Sequence, residues 1–79
     1  MSIVKIDGMD KAILGVAVGS NYDNRMVYSI EKIVSELMKQ NEWDSTDAWE
    51  WFDFNIARGC VGWDSPILVY EDYELLLED

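Results

Sequence analysis

A chain of 79 residues builds one domain with a modest core, short enough that a partner chain is a natural source of further stability. Apolar residues make up 49% of it and aromatics 13%, ample for a packed globule and too much for a disordered chain. Sixteen acids against six bases leave a net charge of −10, and histidine is absent, which disfavours nucleic acid and anionic membrane as direct ligands and removes the commonest proton shuttle and metal ligand.

The chain reads as a single domain over residues 1–79. Its opening, MSIVKIDGMDK, alternates weakly. Ile3, Val4 and Ile6 suit a short edge strand or an arm within residues 1–11, and Asp7-Gly8 marks a turn. AILGVAVG (Ala12 to Gly19) is apolar and rich in β-branched residues, and too short and glycine-rich for a helix. It predicts a strand buried on both faces. The polar SNYDN predicts a hairpin loop, with RMVYS (Arg25 to Ser29) as the return strand.

Ser29 is a favourable N-cap. After it, Ile30, Ile33, Val34, Leu37 and Met38 recur at helical spacing, with Glu31, Lys32, Ser35, Glu36 and Lys39 on the outer face. Asn41 is the expected stop. Asp44 or Ser45 caps a second helix, whose first turn holds Asp47 and Glu50 where the macrodipole favours acids. That helix is expected to run to about Arg58, with Gly59 at the C′ position. GCVGWDSP is then a loop, ILVY (Ile67 to Tyr70) a third strand, and residues 71–79 an acidic tail. Within the tail, Leu75, Leu76 and Leu77 can dock on the sheet edge or on another chain. The predicted class is α+β and two-layer: β-β-α-α-β, with a small antiparallel sheet packed by a helix pair.

The second helix carries DAWEWFDFN (Asp47 to Asn55), more aromatic surface than one face can bury. With Ala48 at 0° and about 100° per residue, Ala48, Trp49, Phe52 and Ile56 form a core stripe between 0° and roughly 100°. Trp51 and Phe54 fall off it, near 300° and 240°, with Arg58 between them. They are covered by the first helix or the tail, or they form an exposed interface patch that Trp63 extends. Asn55 lies beside the core stripe and is expected to tie the helix to the Gly59–Gly62 loop.

The charge is unevenly placed. Residues 1–41 hold five acids and five bases, whereas residues 42–79 hold eleven acids and only Arg58, so the whole −10 lies in the second half. Such a half steers a basic partner, and carboxylates on a rigid helix can imitate phosphates and occupy a nucleic-acid-binding groove. The candidate partner-binding residues are Asp44, Asp47, Glu50, Trp51, Asp53, Phe54, Trp63 and Asp64. Acid pairs such as Asp44 with Asp47 and Glu50 with Asp53 lack an apolar pocket to raise one pKa. Cys60, the single cysteine, has no imidazole to activate it. NYDN lacks the ligand number of a calcium loop, and the glycines form no phosphate cradle. No catalytic residue, cofactor or metal is therefore expected. The longest apolar run, Ala12 to Val18, is far too short for a membrane span. With no export signal and one cysteine, a cytoplasmic setting is expected.

DKAILG (Asp10 to Gly15), RMVYS (Arg25 to Ser29), Leu37-Met38, DAWEWFDFN (Asp47 to Asn55) and VGWDSPI (Val61 to Ile67) recur in an order that resembles a family of small, mostly uncharacterised proteins of bacteriophages and prophages. The resemblance covers about residues 10–68, and the acidic tail from Glu71 departs from it. It implies a viral setting in the host cytoplasm and carries over no catalytic residue. Together with the charge layout, it leads to the expectation of a small acidic phage accessory protein that binds a host or phage protein, as an inhibitor of a host defence or nucleic-acid-processing system. The alternative is an assembly module, a homodimer or larger oligomer held by Trp51, Phe54, Trp63 and the tail leucines.

Overall fold

The computed structural model of the protein describes residues 5–19, 22–59 and 65–72. A 3-10 turn at Asp10–Ala12 leads into strand β1 (Ile13–Gly19) and strand β2 (Tyr22–Ser29). Helix α1 (Ile30–Asn41), helix α2 (Ser45–Phe52) with a π-helical continuation at Asp53–Ala57, and strand β3 (Ile67–Val69) follow. This is an α+β fold in the expected element order, and its shortest dimension, 20 Å, suits one sheet under one layer of helices. Ile3, Val4, Cys60, Trp63, Asp64 and the tail leucines Leu75, Leu76 and Leu77 lie outside the described residues.

The sheet order is β1-β2-β3, with β2 antiparallel to β1 and parallel to β3. The sheet is therefore mixed and not antiparallel as expected. Parallel neighbours need a long crossover, and the helix pair between β2 and β3 is that crossover. β3 returns beside β2, with Val27 opposite Ile67 and Ser29 opposite Val69.

β2 runs into α1 with no linker. Ser29 is its last residue and the helix N-cap, its Oγ accepting from the Lys32 N–H at 3.1 Å. Just before it, Tyr28 is sealed from solvent, and its hydroxyl accepts from the Ile6 N–H at 2.9 Å. Around Tyr28 the core gathers Met9, Ala12, Ile30, Ile33, Val34, Leu37, Ala48, Phe52 and Ile56. The predicted stripe of α1 is thus the buried one, with Met38 packed partly against it. Glu36, expected outside, is buried with its carboxylate 3.7 Å from the Lys39 ammonium.

Several local features differ from expectation. Ala12 belongs to the 3-10 turn, where the Met9 carbonyl takes its N–H at 2.9 Å. β1 is not buried on both faces: Leu14 and Val16 are 43% exposed and Val18 80%. Among the described residues it is a border strand, and of its apolar side chains only Ile13 packs against the core. α1 ends on Glu42 in the left-handed region (φ 56°), while Asn41 remains helical and donates its side-chain N–H to the Leu37 carbonyl at 3.0 Å. Gly59 does not adopt positive φ, whereas Gly8 does (φ 79°), at the expected Asp7-Gly8 turn. The Gln40 amide clasps that turn by donating to the Gly8 carbonyl at 3.0 Å.

The first turn of α1 also holds the chain after β3. The Glu31 carboxylate accepts from the Glu71 N–H at 2.9 Å and the Asp72 N–H at 3.0 Å, and these bonds draw its pKa below the ordinary value of 4.5. A depressed carboxyl contributes stability that is fully present above its unfolded pKa and lost as pH falls through the folded one.

Two outcomes follow for urea unfolding. Ser29→Ala lowers stability by about 1 kcal/mol through loss of the cap. Glu31→Gln is less stable than the parent by a constant margin at neutral pH, and the margin closes as pH falls below 4.5. A margin that widens in acid contradicts the assignment.

Candidate interaction face on the second helix

The start of α2 is set by Asp44, whose carboxylate accepts from the Asp47 N–H at 2.9 Å. From there acids recur every third residue, at Asp44, Asp47, Glu50 and Asp53, and all four are exposed. A three-residue step falls short of a full helical turn, so the row drifts around the outer side of the helix. Large aromatics lie on either side of it. Trp51 is 40% exposed and Phe54 63% on one flank, and Trp49 is 37% exposed on the other.

After Phe52 the helix widens. The Arg58 N–H reaches back to the Asp53 carbonyl at 3.3 Å, a π-type bond. Such bulges are frequent at functional sites. Within this wider turn Ile56 stays buried, while Phe54 and Asn55 are exposed. The Arg58 guanidinium lies over the Phe54 ring, 4.4 Å from its centroid. Asn55 is not beside the core as expected, and its amide donates to the Trp51 carbonyl within its own helix at 3.0 Å.

Two open depressions of about 470 Å³ each flank the acidic row. Trp43, Asp47, Glu50, Trp51, Phe54 and Asn55 line the first, where the Trp43 and Trp51 rings sit 6.2 Å apart at 46°. Ile30, Trp49, Glu50, Phe52, Asp53, Ala57, Leu68 and Tyr70 line the second. There Trp49 meets the Phe52 ring edge-on at 5.7 Å and stacks on Tyr70 at 6.4 Å. Glu50 is the wall shared by both.

Of the candidate residues, Asp47, Glu50, Trp51 and Phe54 come together in the first depression, and Asp53 joins Glu50 in the second. Asp44 stands at the helix start with one carboxylate oxygen committed to the cap. Trp43, Trp49 and Tyr70 were not anticipated. Trp43 precedes the helix and falls outside any helical projection. Trp49, expected in the core, is exposed and lines the second depression. Neither the first helix nor any other described element seals Trp51 and Phe54. The Trp51 ring meets Trp43, and the Phe54 ring carries the Arg58 guanidinium.

Such walls can seat an apolar side chain while carboxylates receive flanking cations. Among the described residues no group of three or more His, Cys, Asp or Glu side chains is placed to hold a metal ion, and no helix is long and apolar enough to cross a membrane. No family model matches the chain, and no curated protein or solved structure does either.

Truncation separates the two kinds of aromatic on this helix. Phe52→Ala costs about 3–5 kcal/mol as a core deletion, whereas Phe54→Ala changes stability by no more than about 0.5 kcal/mol. Comparable losses in chemical denaturation contradict an exposed role for Phe54.

Proposed function

We propose that the protein is a non-enzymatic binding module whose α2 face holds a basic protein partner. The observation that carries this reading is the position of Glu50: a carboxylate between two aromatic depressions, with Asp47 on one side and Asp53 on the other. A partner segment that places an apolar side chain in either depression gains about 1.5–3 kcal/mol per anchor from burial. Lysines or arginines beside the anchor meet the acidic row. Aromatic anchors ringed by polar groups are the usual anatomy of an interface centre, and the acids add steering and a faster encounter.

The partner class suggested by this chemistry is a protein with a cationic groove, such as one that otherwise holds a nucleic-acid backbone. Carboxylates recurring along a rigid helix substitute for phosphates there. The bacteriophage setting comes from the motifs of residues 10–68 alone, and within it the reading becomes inhibition of a host defence or nucleic-acid-processing protein in the host cell.

Peptide display against the parent protein, counter-selected on a Trp51→Ser, Phe54→Ser double variant, tests the reading. The expected ligands carry an aromatic or aliphatic anchor flanked by Lys or Arg, and their affinity falls with added salt. Ligands without net positive charge, or ones that bind the double variant equally, refute it.

A further inference from the structure

The border strand β1 has the opposite character to α2. Its seven residues, Ile13–Gly19, include no charged side chain and no proline. Edge strands are ordinarily blunted by lysine, proline, brevity or bulges; β1 has none of the first three, and its irregularities of register lie toward its two ends. Its Leu14, Val16 and Val18 side chains are exposed on one face. On the other, a Cβ placed at Gly15 meets nothing within 4 Å. Register shifts occur between Ile13 and Gly15 and between Ala17 and Gly19, and they leave the stretch around Val16 regular.

We infer that β1 is the self-association edge of the protein, pairing antiparallel with β1 of a second copy to join two three-stranded sheets into one. Two observations select a second copy as the occupant. The first is charge. The exposed acidic row of α2 repels its own copy, whereas the seven residues of β1 carry no charge, so two copies meet along β1 without opposing like charges within the strand. The second is the symmetry of the strand. With the two-fold axis at Val16, Val16 faces its own mate and each Leu14 faces a Val18, so every exposed apolar side chain meets another. Isologous pairing of this kind is the commonest route to a dimer. β1 borders the sheet opposite β3, whose end carries Tyr70 stacked on Trp49. The α2 face therefore stays open in the dimer.

Sedimentation across micromolar to near-millimolar concentration tests this edge. The parent is expected to dimerise, and β1 amides to exchange more slowly with solvent as concentration rises. Val16→Lys sets two ammonium groups against each other on the axis and weakens the dimer by roughly tenfold or more. An equimolar mixture of Val16→Lys and Val16→Glu is expected to form a heterodimer, a rescue that misfolding cannot imitate; circular dichroism confirms that each variant folds. A parent that stays monomeric, a dimer that survives Val16→Lys unchanged, a mixture that fails to associate, or a dimer abolished by Trp51→Ser in place of Val16→Lys each overturns the inference.

Discussion

Everything above β2 is placed by the junction at Ser29. One residue completes a strand, faces Val69 across the sheet, and caps the helix that follows. With no linker to absorb a change of direction, the axis of α1 is dictated by the end of β2. A strand residue and an N-cap share extended backbone angles, so one conformation serves both roles. The orientation of α1 then presents Ile30, Ile33, Val34 and Leu37 to Tyr28 and sets Glu31 within reach of the backbone after β3. The parallel pairing of β3 follows, because its exit is held by the same turn of helix that leaves β2.

Much of this is legible in the residues, and the exceptions share a cause. Helical periodicity and capping are local, so the stripe of α1, its Ser29 cap and the Asp44 cap of α2 can be read directly. The direction of β3 is not local, since three residues carry no mark of which neighbour they pair with. The apolar run of β1 was expected to be buried on both faces because hydrophobicity in a strand usually measures burial. Here no described element covers Leu14, Val16 and Val18, a property of where the helix pair lies and not of β1. The π turn at Asp53–Ala57 is likewise invisible to a projection that assumes a constant angular step. For that reason the projection misplaces Asn55, whereas it sets Trp51 and Phe54 off the stripe but leaves their exposure open, which only the structure shows. Trp49 lay on the border between the two outcomes.

Polarity is segregated along the chain and then again in space. The neutral half builds the hairpin and the first helix, and several of its cations are engaged: Lys5 with Asp10 and Lys39 with Glu36 inside that half, and the Arg25 guanidinium with the Ser65 carbonyl of the other. The acidic half has few internal cations, since Lys32 reaches Glu71 at 3.9 Å and Arg58 is spread over Phe54. Acids on α2 consequently keep their field directed outward. Two such surfaces repel each other.

Three of the four tryptophans are among the described residues, and all three stand at or beside α2 with part of each ring in contact with water. None belongs to the sealed core around Tyr28 and Ile33. The emission of these three rings is therefore tied more closely to the α2 face than to the sealed core. Denaturation changes the surroundings of rings that were already partly wet. A molecule that covers the face dries Trp51 or Trp49 and moves the emission to the blue, which gives the protein an intrinsic optical gauge of occupancy.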